Sequence, residues 1–359
     1  MNVLVLTSSP RSEYISTQKN MLNPLIKGMK DGNANVDVVD LTKKVINTCQ
    51  DCTCCMTTSI GKCVMQDDMT REIMPLFLKA DVLVLATPIY FGTLSSTLKK
   101  FIERLFPLLD NHQSVDEEGF HHSFRVEWPK VVAVATASWD YPAAFEQLSS
   151  YFRYLFADKI IAELYRGNHN AFAHCDAYKE RKEEIVQALY RVGKQIAESK
   201  PIDRKLVDVI TGPLAEKEKI VISHNLSIDS CIELGINITE WTETGKLITP
   251  GSLSNFIDLM RLMYHPENVE RKFVMQFEFT GKVEDKCYFI VGDELQRAQG
   301  TYENGKPEIT IKAPFQTWTK VMNGSANCLQ LLMRNKISIE GDMTYLNDFQ
   351  KIFYMVRYY

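Results

Sequence analysis

Val3-Leu4-Val5-Leu6-Thr7-Ser8-Ser9-Pro10-Arg11, with Ser16-Thr17 close behind, is the stretch whose reading decides the fold. The unbroken valine and leucine run reads as a strand covered on both faces, as strands of parallel sheets are. It gives way to hydroxyls and an arginine, and the next helix begins near Ser16-Thr17. Those side chains therefore stand where the first N–H groups of a helix point outward, at the carboxyl end of a sheet strand. That position is the ligand crevice of an open parallel sheet, and it favours an anion. A phosphate is the expected occupant; the plainer alternative is a serine-rich turn that only caps the helix. No G-x-G-x-x-G is present, so a mononucleotide is expected rather than a dinucleotide.

Outward from this loop, short β-branched runs at 3–7, 35–41, 82–87, 131–137 and 159–165 alternate with amphipathic stretches. The latter lie at 17–30, 69–79, 95–105, 143–156 and 178–199. Such alternation predicts an α/β domain, a doubly wound five-stranded parallel sheet wrapped by helices. The third strand ends in Thr87-Pro88-Ile89-Tyr90-Phe91-Gly92-Thr93, at the same edge as the first loop. Proline stiffens that exit, two aromatics offer flat apolar surface, and glycine allows backbone to approach a ring closely. A planar heterocycle could lie there, although ordinary packing explains aromatics at a strand end equally well.

The chain has 359 residues, too many for one ordinary core. Lys200-Pro201-Ile202-Asp203 is a polar break, and three regions are expected: 1–200, a connector at 201–250 without a clear reading, and 251–359. In the last region a helix at 253–264 precedes strand candidates at 273–279, 287–291, 295–301, 309–313 and 337–340, with Asn304-Gly305 as a hairpin turn. Helices at 317–322, 328–333 and 345–356 complete an α+β domain. In the final helix Tyr345, Leu346, Phe349, Ile352, Phe353 and Val356 share one apolar face.

Apolar residues make up 45% and charged residues 24%, which suits a folded globular chain. A net charge of -4 with scattered basic residues argues against nucleic acid as a partner. The first residues lack a basic and apolar leader, and no apolar run is long enough for a bilayer, so a soluble, cytoplasmic protein is expected. His121-His122 beside Asp116, Glu117 and Glu118 reads as a solvated polar loop rather than a metal site, and His174-Cys175 carries no clearer signal.

Of nine cysteines, five crowd one stretch: Cys49, Cys52, Cys54, Cys55 and Cys63. Cys49-x2-Cys52-x2-Cys55-x7-Cys63 places four thiols within reach of one centre. That spacing suits an iron-sulfur cluster or, less well, zinc, and metal-free thiols could pair as a disulfide. Cys54 fits no ligand slot.

Together the first and third loops resemble the NAD(P)H-dependent FMN reductase branch of the flavodoxin-like superfamily. The resemblance rests on Ser8-Ser9-Pro10-Arg11, Ser16-Thr17, Thr87-Pro88-Ile89-Tyr90 and Leu98-Lys99-Lys100-Phe101-Ile102-Glu103-Arg104, over roughly the first 200 residues. It departs from the family pattern in Ser8, which stands for the usual glycine, and in the adjacency of Ser16 and Thr17. The resemblance implies FMN as cofactor, with Ser9, Arg11, Ser16 and Thr17 on its phosphate. Pro88, Ile89, Tyr90, Phe91 and Gly92 would border the isoalloxazine, and Ser138 and Trp139 would close the third side. It further implies NAD(P)H as donor, a small acceptor such as a quinone or flavin, chemistry carried by the flavin with no side-chain acid or base, and a homodimer.

The cysteines and the following Gly61-Lys62-Cys63-Val64-Met65-Gln66-Asp67-Asp68 resemble the iron-sulfur flavoproteins, which implies a 4Fe-4S cluster on Cys49, Cys52, Cys55 and Cys63. Many similar reductases keep such cysteines without a cluster. Residues 273–353 resemble the sterol-carrier-protein type of lipid-binding domain, which implies an apolar ligand. Three functions follow: a reductase, an electron carrier exchanging electrons with protein partners, or a lipid-binding protein with a vestigial flavodoxin fold.

Overall fold

A computed structural model describes residues 1–11, 16–117, 119–138, 143–167, 172, 178–243 and 248–354. The chain divides into two compact units, Met1–Leu214 and Ala215–Tyr359.

In the first unit, β1 (Asn2–Thr7), β2 (Asn35–Asp40), β3 (Val82–Pro88), β6 (Lys130–Thr136) and β7 (Ile160–Arg166) form one parallel sheet in the order β2-β1-β3-β6-β7. This is the doubly wound, flavodoxin-like order. β1, β3 and β6 are buried on both faces, which is why their sequences are near-continuous apolar runs. The edge strand β2 is more exposed and correspondingly more polar. Helices α1 (Thr17–Asp31), α2 (Met74–Phe77, entered through a π-helical turn Met69–Ile73), α3 (Ser96–Glu103), α4 (Ala143–Phe156) and α5 (Lys179–Ala197) cover the sheet. Leu4, Leu6, Leu83, Leu85, Phe101, Phe77 and Phe152 lie in the core of one face.

The stretch before β6 is not the loop expected from its polar sequence. β4 (Leu109–Asp116) and β5 (Gly119–Phe124) pair antiparallel as a hairpin, with Val115 opposite Phe120 and both exposed. A two-stranded ribbon in solvent carries polar residues on both faces, so alternation could not reveal it.

Residues 201–250, set apart in the sequence as a connector, are largely helical. α6 (Arg204–Thr211) lies in the first unit, and α7 (Lys217–Leu234) and α8 (Ile238–Glu243) lie in the second. α6 is tied down by Arg166, whose guanidinium donates to Ile210 O and Gly212 O.

The second unit holds a mixed five-stranded sheet in the order β10-β9-β8-β11-β12, from β8 (Phe273–Thr280), β9 (Lys286–Val291), β10 (Gln296–Gln299), β11 (Ile309–Pro314) and β12 (Ser338–Gly341). β8 and β11 pair parallel at its centre, and the other pairs are antiparallel. Asn304-Gly305 therefore turns no hairpin: it bends the connection that carries the chain from edge strand β10 across the sheet to β11. α9 (Leu253–Leu262) sends Phe256 edge-on into Phe277, Phe279, Phe289 and Phe315, giving an aromatic core. α10 (Phe315–Met322), α11 (Cys328–Met333) and α12 (Thr344–Ile352) complete the unit. The last helix stops at Ile352, earlier than its apolar periodicity suggests, because Phe353 leaves it to bridge Tyr264; Val356 lies outside the described residues.

Candidate functional site

β1 and β3 are neighbours from which the chain departs to opposite sides, so a crevice opens beyond their carboxyl ends. Ser9, Arg11, Ser16, Thr17, Gln18, Pro88, Ile89, Tyr90, Thr136 and Ser138 line one cleft there of about 450 Å³. Ser16 is the N-cap of α1 and accepts from the Lys19 N–H at 3.3 Å. Its hydroxyl also donates to Ser9 Oγ at 3.1 Å, which ties the loop after β1 to the helix start. The first turn of α1 carries no acidic residue, so its N–H groups and positive dipole end face the cleft without competition.

Gln18 was not singled out by its sequence. Its Oε1 accepts from Thr7 Oγ1 at 2.6 Å, while its buried Nε2 has no hydrogen-bond partner. An orphaned donor on the wall of a cleft fits an acceptor supplied by a ligand. The far wall is built as firmly. Ser8 Oγ donates to Ala86 O at 3.0 Å, Ser95 Oγ donates to Ser8 Oγ at 2.8 Å, and the Ser95 N–H donates to Thr87 Oγ1 at 2.9 Å. These bonds lock β1, β3 and the start of α3 together. Ser8, where a glycine was expected, thus spends its hydroxyl on the framework.

Tyr90 and Thr93 close a two-residue turn through Tyr90 N–H to Thr93 O at 2.9 Å and the reciprocal bond at 3.3 Å. Its central residues, Phe91 at φ 49° and Gly92 at φ 86°, are both left-handed, as a type I′ turn requires. Phe91 is fully exposed at 107% and stands with Gly92 beyond the cleft lining, on the tip of the turn. Trp139 lies outside the described residues.

A second pocket, of about 490 Å³, is lined by Cys49, Cys52, Cys55 and Cys63 with Arg104, Phe106 and Pro107. Left-handed backbone at Asp51, Thr53 and Gly61 turns the chain around these thiols. Among the described residues no group of three His, Cys, Asp or Glu stands close enough to hold a single metal ion. Cys54 does not line the pocket; its N–H and thiol donate to the Cys52 sulfur and draw that thiol's pKa down. Burial pushes the Cys55 thiol up.

Under the pocket, Arg104 and Asp67 form an ion pair in which both side chains are 1% exposed. Nη1 donates to Asp67 Oδ2 at 2.6 Å and to Asn47 O at 2.8 Å. Nη2 donates to Asp67 Oδ1 at 3.1 Å, to Thr70 Oγ1 at 3.2 Å and to Cys63 Sγ at 3.3 Å. Burial alone would raise the Asp67 carboxyl, yet Arg104 and the N–H groups of Asn47 and Thr70 outweigh it and hold the pKa at about 2. The sequence places these partners 37 residues apart, and only the fold brings them together.

In the second unit, Met263, Trp318, Leu346, Phe349 and Phe353 are among the residues lining a half-open, largely apolar cavity. No helix among the described residues is long and apolar enough to cross a membrane.

Residues 1–163 match the model of the family described as NADPH-dependent FMN reductase, and residues 270–354 match that of the SCP-2 sterol transfer family. The first unit is thus similar to FMN reductases over residues 1–163, and the second to sterol-transfer proteins over residues 270–354. An iron-sulfur flavoprotein of Archaeoglobus fulgidus is 33% identical over 107 residues, 30% of this chain and 46% of that protein. One from Methanocaldococcus jannaschii is 31% identical over 108 residues, 30% of this chain and 53% of its own length. The chain spans about half the length of the curated relatives it matches. Among solved structures, an azoreductase from Bacillus anthracis is similar at 16% identity and a TM-score of 0.40, covering 55% of this chain and 99% of that one. Sterol carrier protein 2 from Yarrowia lipolytica is similar at 15% identity and a TM-score of 0.24, covering 28% of this chain and 90% of its own.

Proposed function

We propose that the first unit holds one FMN and acts as an NAD(P)H-dependent oxidoreductase that passes reducing equivalents to a small acceptor such as a quinone or a second flavin. The observation that carries this reading is the cleft itself: hydroxyls, an arginine and a helix start at one end, and a flat apolar wall at the other. FMN, when bound, supplies the acceptance and return of hydride. Ser9, Arg11, Ser16 and Thr17 would hold its phosphate, Gln18 Nε2 would donate to one of its oxygens, and Pro88, Ile89 and Tyr90 would lie along the ring, with Ser138 opposite. The experiment is direct. Purified or FMN-reconstituted protein should be yellow and bleach on adding NADH or NADPH; a protein that takes up no FMN would overturn the reading.

A second reading is favoured by the four thiols that line one pocket. In it Cys49, Cys52, Cys55 and Cys63 hold a 4Fe-4S cluster and the chain exchanges electrons with protein partners; that two relatives are described as iron-sulfur flavoproteins supports the cluster. The compact spacing of the four cysteines along the chain suits a cluster better than a single zinc. Iron and acid-labile sulfide measured after anaerobic purification test it. Flavin that bleaches only with a reduced protein donor would favour the carrier.

The second unit would contribute an apolar ligand site, supported by the cavity beside Trp318. We further take the working form to be a cytoplasmic homodimer, which sedimentation and cell fractionation would check.

A further inference from the structure

We propose that Arg104 sets the reduction potential of a sulfur-ligated cluster held by Cys49, Cys52, Cys55 and Cys63, as a positioning residue that donates to its sulfur side. This inference rests on reading the pocket as a cluster site. Three observations carry it.

Arg104 is among the residues that line the four-cysteine pocket, although its side chain is 1% exposed. Its guanidinium is also fixed in place. The forked contact with Asp67, the bond to Asn47 O and the bond to Thr70 Oγ1 leave it no alternative orientation, as suits a rigid planar donor set. Finally, Nη2, which also serves Asp67 and Thr70, turns to sulfur as well, and one N–H of the group has no partner. Nη2 reaches Cys63 Sγ at 3.3 Å, and the buried Nε has no acceptor. A buried N–H without a partner is costly, and it is explained if the pocket supplies a further acceptor.

A plain structural ion pair would need neither the sulfur contact nor the orphaned Nε. Four thiolates around an iron-sulfur core carry net negative charge, which increases on reduction. Hydrogen bonds to the sulfurs and a nearby fixed cation favour the reduced form and so raise the potential. Asp67 offsets part of the guanidinium charge and shares Nη2 with Thr70 and the Cys63 sulfur, so the contribution at the sulfur is that of a shared hydrogen bond beside a partly neutralised cation.

The test uses the full chain, purified anaerobically, with iron and sulfide assayed and the cluster titrated by spectroscopically monitored reduction. R104K keeps the charge and loses the fork. R104Q/D67N removes both charges, so that no buried carboxylate is left alone should R104Q by itself not fold. Circular dichroism and flavin content report folding. The expected result is a cluster potential lower than wild type in both variants, lower in R104Q/D67N than in R104K, with the flavin potential unmoved. Folded, cluster-loaded variants whose cluster potential equals wild type would overturn the role of Arg104 and leave the cluster standing. Wild-type protein without iron and sulfide would overturn both.

Discussion

Gly28 and Gly193 mark the crossing of α1 and α5, each at the point where the other helix comes closest. A Cβ on Gly28 would stand 2.0 Å from Tyr190 O, and one on Gly193 would stand 2.1 Å from Leu25 O. The two backbones touch because neither residue has a side chain. Gly28→Ala would have to push the helices apart, at about 1–3 kcal/mol by the usual cost of overpacking. Since α1 also carries Ser16 and Thr17, the same variant should bind FMN more weakly. Urea denaturation and flavin titration check the two effects; a G28A protein as stable as wild type would show that the helices can slide.

Arg11→Ala should separate the phosphate end of the cleft from the ring end. If Arg11 meets a phosphate, the variant loses about tenfold or more in affinity for FMN, as expected for a charged hydrogen bond, and little for riboflavin. Calorimetry with both ligands measures the ratio. An equal loss for the two would remove Arg11 from the phosphate site.

Asp67 links stability to pH. Its carboxyl titrates at about 2 in the folded protein against 3.8 ordinarily, so its stabilisation is whole above about pH 4 and is lost as pH falls from 3.8 toward 2. The difference is about 2 kcal/mol. Asp67→Asn should flatten that part of the stability curve, and at neutral pH it should cost about 3–5 kcal/mol, because Arg104 is left buried and unpaired. Denaturant midpoints for both proteins at pH 7 and pH 3 decide the matter.

Much of this was legible before any coordinates. β1, β3 and β6 declare themselves because a strand buried on both faces needs apolar residues at every position, and that Ser9, Arg11, Ser16 and Thr17 stand around one cleft is legible because a strand, a loop and a helix start are contiguous in sequence. α7 was hidden for a physical reason. Its buried face includes Ser223, Ser227 and Ser230, and the last two satisfy their hydroxyls on carbonyls one turn back, Ser227 on Ser223 O at 2.6 Å and Ser230 on Leu226 O at 2.7 Å. Meanwhile Val221, Ile228 and Ile232 face outward, so no apolar stripe stands against a polar one. Arg104 and Gln18 were missed as site residues because their meaning lies in partners that no local pattern predicts.

Phe91 holds a left-handed backbone that costs a non-glycine residue about 1 kcal/mol or more, and its ring gains no burial in the chain. Phe91→Asn should therefore raise stability by roughly that amount. If the ring meets the second substrate, KM for a quinone should rise in the same variant with FMN affinity unchanged. Steady-state kinetics with unaltered KM would leave Phe91 without that role.

Trp318 is buried beside the apolar cavity, and its Nε1 has no hydrogen-bond partner. A long-chain acyl ligand entering there should shift its emission, and W318F should abolish the change. Leu346→Trp would fill the cavity and weaken binding several-fold. Emission indifferent to every acyl chain would mean that the cavity does not admit them.

α3 works as a gauge between two places. Its N-cap, Ser95, is fastened to Ser8 behind the cleft at the ends of β1 and β3, and the residue that ends it, Arg104, reaches Cys63. Eight helical residues set that interval at about 12 Å. One inserted residue would lengthen it little but rotate everything after it by about 100°, swinging the guanidinium off the sulfur while Ser95 stayed anchored. The chain can therefore vary the composition of this helix more freely than its length.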